Sequence, residues 1–329
     1  MDCDGHTVGG DSVIIIVPIE RLEERYSDQW YRWFKAECLR QGKSAIFVGD
    51  TDKRSIKEGQ FLDVYDTNIY KAGQLKSICE LIKNAQEEVT VFFMDLWFPG
   101  IEALAYIRDI TGKKITIKGI FHAGTYDPWD FLAQKGCERW GKDIEEGWMK
   151  LIDEIFVGTY FHKTLLGRRK RYSNITVTGL PVYVPAPPDP RRGEIVVFPH
   201  RLAPEKRPEQ FDEIMQLYYR KYKDTPVFVK SKEVCFSKGE YYQLLKKSKV
   251  AVSTAEQETF GIAMLEALNC GCLPVVPDRL AYRDTFLDYR RYTSIPEAVD
   301  MIHEALVNYK KPPLKYPYEQ VVREIVERI

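Results

Sequence analysis

The chain has 329 residues, enough for two domains of about 150 residues each. Apolar residues make up 44%, so each half can bury a core, and Lys plus Arg equals Asp plus Glu at 48 each, so net charge selects neither for nor against nucleic acid. The seven Cys, at 3, 38, 79, 137, 235, 270 and 272, contain no Cys-x-x-Cys pair, which argues against a zinc ribbon or a disulfide framework and fits a reducing cytoplasm.

In chain order, the polar, Gly-rich first dozen residues do not read as a signal peptide. The longest aliphatic run, Val13–Val17, is far too short to span a bilayer. Strand-like apolar runs follow at 45–48, 89–94, 115–121, 155–157 and 175–177. Helical patterns fall between them at 26–39, 75–84 and 101–110. Alternating strand and helix with uniformly apolar strands predicts a parallel sheet covered on both faces. Residues 184–193, with four Pro in ten, read as a linker. A second alternation follows, with strands near 195–198, 227–229, 250–252 and 273–276 and a helix around 208–222. Ser294 starts a helix whose apolar face is Val299, Ile302, Leu306 and Tyr309, and 318–329 also reads as helical. The predicted domains are therefore 1–183 and 194–329, two Rossmann-like α/β halves facing across a cleft. Ligands of such sheets bind at the carboxyl ends of strands.

The most informative segment is 258–266, Glu-Thr-Phe-Gly-Ile-Ala-Met-Leu-Glu. It follows an apolar run and opens a helix that ends at Gly271. Free N–H groups and the helix dipole make such a start an anion site. Amides at Thr259, Phe260 and Gly261 suit phosphates, and Glu258 and Glu266 suit hydroxyls on either side of a diphosphate. Upstream, 194–211 places Arg201 and Lys206 in a loop after a strand, a planar fork and a compact charge that together suit a diphosphate.

Residues 253–278 resemble the E-x7-E region of retaining GT-B nucleotide-sugar glycosyltransferases, and 194–211 resemble their phosphate loop. The resemblance implies a GT-B fold, a nucleotide-sugar donor and no metal or other cofactor. It also implies terminal helices returning to the first domain. Arg201 and Lys206 would bind the diphosphate and stabilise the leaving group, with Glu258 on the donor sugar and Glu266 on the ribose. In the first half the match is weaker. His122, at a strand end, is a candidate to contact the sugar or position the acceptor. Asp95, at another, is a candidate to orient or deprotonate an acceptor hydroxyl. Glu20 and Arg21 stand where the family often carries a Gly-rich acceptor loop, a departure that leaves the acceptor side open. Residues 94–109 and 121–132 also resemble phage-associated glycosyltransferases thought to modify DNA bases. That implies hydroxymethylated pyrimidine in DNA as an alternative acceptor. Basic runs at 163–171, 191–192 and 246–249 would then be candidate contacts.

Rival chemistries fit less well. No G-x-G-x-x-G follows the first strand, and Gly42-Lys43-Ser44 lacks the P-loop glycine and helix. Asp50 and Asp52 are candidate metal ligands for a one-domain, metal-dependent transferase. A non-hydrolysing sugar-nucleotide epimerase and a non-catalytic nucleotide-binding module are the alternatives of another class. Donor sugar, nucleobase, acceptor and oligomeric state are not encoded in these patterns.

Overall fold

The computed structural model describes residues 12–22, 25–49, 63–168, 172–185 and 191–329. Asp50 and Asp52 lie outside the described residues, as do 186–190 of the Pro-rich stretch. In chain order the elements are β1 (Val13–Val17), α1 (Tyr26–Arg40), β2 (Ala45–Phe47), α2 (Val64–Asn84), β3 (Val89–Phe93), α3 (Ile101–Thr111) and β4 (Ile115–Ile120). There follow α4 (Phe131–Gln134), α5 (Glu138–Leu151), β5 (Glu154–Val157), α6 (Tyr160–Gly167) and β6 (Ile175–Val177). The remainder is β7 (Ile195–Phe198), α7 (Pro208–Lys221), β8 (Val227–Lys230), α8 (Ser231–Val234), α9 (Lys238–Lys247), β9 (Val250–Val252), α10 (Ile262–Asn269), β10 (Leu273–Val275), α11 (Tyr282–Thr285), α12 (Ile295–Val307) and α13 (Tyr318–Arg328). The chain divides into two compact units. One comprises Met1–Phe121, Ile144–Phe156 and Ile325–Ile329, the other His122–Asp143 and Val157–Glu324.

In the first unit the strands run parallel in the order β2-β1-β3-β4-β5. Ile15, Ile16, Val91, Phe92, Phe93, Ile117 and Ile155 are all fully buried, as strands covered on both faces require. Gly119 is needed where it stands. A Cβ there would lie 2.6 Å from the Phe93 carbonyl oxygen. Helix α2 begins eleven residues before the predicted start at 75, with Asp63 as N-cap accepting from the amides of Tyr65 and Asp66. Its early turns leave Tyr65 and Ile69 exposed, so they carry no apolar periodicity for sequence reading to find.

In the second unit the parallel order is β10-β9-β7-β8. From β7 the chain moves to β8 on one side and then returns to β9 on the other. The strand order therefore reverses between β7 and β9, which pair at Val196 and Val250. Such a reversal opens a crevice outside the carboxyl ends of its two strands. Phe198, Phe211, Ile214, Tyr218, Val252 and Ile302 pack the core beneath it.

Candidate functional site

Two loops leave the carboxyl ends of β7 and β9. The first, 199–207, contains a 3-10 turn, Pro204–Lys206, and closes on Arg207 at φ 52°. The second, 253–261, ends on Gly261 at φ 93°, the N-cap of α10. The loops are sewn together by backbone acceptors. The buried Thr254 hydroxyl bonds the carbonyls of Lys206 and Arg207, each at 2.8 Å, and the Glu256 amide donates to the Glu205 carbonyl at 2.8 Å. His200 Nε2 lies 2.8 Å from Ser253 Oγ, which meets the Tyr282 hydroxyl at 2.7 Å. Burial, reinforced by the charges of Lys206 and Arg201, holds His200 well below the ordinary histidine pKa. It is therefore a neutral structural link.

Lys206 and Glu258 converge on this platform. Lys206 is 7% exposed, and its ammonium lies 3.2 Å from Glu258 Oε2 and bonds the Gln257 carbonyl. Glu258 Oε1 accepts from the Gly261 amide at 3.0 Å. Helix α10 has no side-chain cap of its own. One carboxylate thus meets an ammonium and an amide at a helix start, the combination that binds anions. Arg201 is not part of that cluster. Its guanidinium forks onto Glu205 Oε1, with Nε at 3.1 Å. The Arg201 side chain is 44% exposed, so its pair with Glu205 is a weak, solvent-screened one.

Thr259, Phe260 and Gly261 set the position of the helix start. Thr259 Oγ1 donates to the His122 carbonyl at 3.1 Å, and its own carbonyl accepts from Thr159 Oγ1 at 2.8 Å. Gln257 Nε2 donates to the buried Asp127 at 3.1 Å. The segment 122–127 is thereby tied to the Glu258 loop. The Phe260 side chain is 2% exposed and packs on Gly158, where a Cβ would lie 2.6 Å from the ring. Beside His122, the buried His162 accepts from or donates to the Tyr126 hydroxyl at 2.5 Å. Burial, then the nearby His122, pushes His162 down to about 3.

Glu266 lies farther along α10, about 6 Å of helix rise beyond Ile262. It is 3% exposed. Lys238 Nζ sits 2.9 and 3.1 Å from its two oxygens, and the Tyr242 hydroxyl donates to Oε1 at 2.7 Å. The Tyr242 ring stacks on Tyr183 at 4.1 Å. Asp95 belongs to the first unit, where its carboxylate closes a turn by accepting from the Trp97 amide at 3.1 Å. The second unit thus brings together Lys206, Glu258, Thr259, Phe260, Gly261 and the His122 backbone. Glu266 stands in its own polar pocket, Arg201 turns to Glu205, and Asp95 serves a local turn.

Sequence reading missed Lys238, Tyr242, Asp127 and the Tyr126–His162 pair. Only Lys238 left a signal. Ser237 and Glu240 form a capping box that fixes the start of α9, placing Lys238 in its first turn. Among the candidate nucleic-acid contacts, Arg192 is spent internally, bonding the carbonyls of Leu245, Ser248 and Cys270. Among the described residues no group of three His, Cys, Asp or Glu is placed to hold a metal ion, and no helix is long and apolar enough to cross a membrane.

Residues 231–315 match the family described as Glycosyl transferases group 1. The tRNA-queuosine alpha-mannosyltransferase of Drosophila melanogaster is 32% identical over 113 residues, which span 28% of this chain and 30% of that protein. Sucrose-phosphate synthase from Thermosynechococcus elongatus superposes with a TM-score of 0.64 at 11% identity, covering 96% of this chain and 94% of that one. S. aureus TarM, solved with UDP, matches with a TM-score of 0.52 at 17% identity over 77% of this chain, which spans 53% of that protein. The fold is α/β of the GT-B type, as the sequence led one to expect.

Proposed function

We propose that this chain is a metal-independent, retaining glycosyltransferase that moves a sugar from a nucleoside diphosphate sugar to an acceptor hydroxyl. One observation carries the reading: Lys206 and the start of α10, which has no side-chain cap, converge on the Glu258 carboxylate where the second sheet reverses. The family match over 231–315, which contains both Glu258 and Glu266, supports it. In this reading the donor diphosphate lies against Lys206 and the first amides of α10. Preorganised positive charge there offsets the charge that builds on the departing diphosphate. Arg201 leaves Glu205 to join it. Glu258, already held by Lys206 and the Gly261 amide, faces the donor sugar, and Glu266 faces the ribose. His122 and Asp95 are the proposed sugar- and acceptor-side groups.

The acceptor in this proposal is a hydroxyl on a modified nucleoside within a nucleic acid. The likeness to a tRNA-queuosine mannosyltransferase supports that class, and hydroxymethylated pyrimidine in DNA is its second member. The test is incubation with radiolabelled UDP- and GDP-sugars against queuosine-containing tRNA, queuosine-free tRNA and hydroxymethylated DNA. Label transferred to one polymer with inverted-face products absent supports the reading. Nucleotide sugars that neither bind nor turn over under any pairing overturn it. EDTA is expected to leave turnover intact, whereas a strict Mn²⁺ requirement would instead favour a metal held by Asp50 and Asp52.

A further inference from the structure

We infer that Lys238 reads the ribose diol of the donor nucleotide together with Glu266, a role that rests on the donor-site reading above. Access favours Lys238. Glu266 is 3% exposed, while the Lys238 side chain keeps 24% exposure. A ligand arriving from solvent therefore meets the ammonium before it meets the carboxylate. Hydrogen-bond capacity favours it as well. Lys238 has three N–H donors and uses two on Glu266. Glu266 Oε1 already accepts from both Lys238 and Tyr242, whereas Oε2 takes its bond from Lys238. A carboxylate so engaged cannot alone take both protons of a vicinal diol at Oε1. A shared arrangement uses the remaining capacity of both groups. One ribose hydroxyl donates to Oε2, and its oxygen accepts from Lys238.

The pair is held for that task. The Lys238 ammonium lies 4.8 and 4.9 Å from the ring centroids of Tyr241 and Tyr242, so the cation rests on aromatic faces rather than sweeping through solvent. Tyr242 is stacked in turn on Tyr183. The Ser237–Glu240 capping box fixes the helix turn that presents Lys238. A site of this kind rejects a ligand that lacks a hydroxyl, because the partners are left unpaired in a buried place.

The experiment is calorimetric titration of the full chain with UDP, GDP and ADP and with their 2′-deoxy and 3′-deoxy forms. The native protein is expected to prefer the best ribonucleotide to one deoxy analogue by about tenfold or more. Lys238→Met should erase most of that preference, and Lys238→Arg should keep part of it. Melting curves report whether each variant folds, and the preference of the native protein is informative without any variant. Ribonucleotide binding with the same deoxy discrimination in Lys238→Met overturns the role of Lys238 and leaves the donor site standing. Ribonucleotide binding with no discrimination in the native protein does the same. Failure of all three diphosphates to bind the native protein overturns the donor-site reading itself.

Discussion

Lys206 and Arg201 are two cations with different standing. Lys206 is nearly buried and already paired with Glu258 at the proposed diphosphate site, whereas Arg201 is exposed and paired with its own neighbour Glu205. A charge fixed in place before the reaction needs no reorganisation while the diphosphate departs, and that is where electrostatic stabilisation is largest. Lys206→Ala is therefore expected to lower kcat by roughly 10²–10³-fold while raising KM far less. Steady-state kinetics with the best donor checks this. A rise in KM with kcat unchanged would restrict Lys206 to ground-state binding. Arg at this position is not a neutral exchange, because its planar fork does not fit a pocket shaped around the Gln257 carbonyl and a single ammonium.

The start of α10 is the element on which the proposed diphosphate site depends. Phe260 anchors it against Gly158, Gly261 turns it at φ 93°, and Thr259 ties it to His122 and Thr159. At Gly261 a Cβ would also lie 3.0 Å from the Tyr282 ring. Gly261→Ala should thus cost about 1–2 kcal/mol of left-handed backbone strain and displace the amide that holds Glu258. The expected readout is a melting temperature lower by a few degrees together with weaker UDP or GDP binding. Unchanged values for both would show that the turn tolerates a side chain. Much of this element was legible in the sequence, since a glycine at each end of an apolar helix after a buried strand marks its limits. Its anchoring was not, because Gly158 and Thr159 lie a hundred residues away and carry no local pattern. Helix α2 shows the complementary failure, an exposed stretch whose start is set by the Asp63 cap rather than by periodicity.

Across the molecule, two parallel sheets were readable as alternating apolar runs and helical patterns, because strands buried on both faces must be apolar throughout. The grouping of 122–143 with the second unit was not readable, since it rests on contacts such as Asp127 with Gln257. The histidines follow the same logic. His162 and His200 sit in polar-looking surroundings in the sequence, yet are 1% and 3% exposed. Their burial is decided by distant partners, Tyr126 and Ser253. This burial has a consequence for acid stability. His162 is neutral in the fold down to about 3, whereas in the unfolded chain it titrates near the ordinary 6.5. Between those values the unfolded state binds the extra proton, so stability is present above the unfolded pKa and falls as pH drops. The loss is about 1.4 kcal/mol per pH unit for each such group, and His200 acts in the same direction. His162→Gln keeps an amide partner for the Tyr126 hydroxyl while removing one titrating ring. Urea unfolding between pH 7 and pH 5 should therefore show a flatter decline in the variant than in the native chain, by about one proton's worth of slope. Parallel declines would mean that His162 takes up its proton in the folded state, and that the buried pair with Tyr126 opens readily to water.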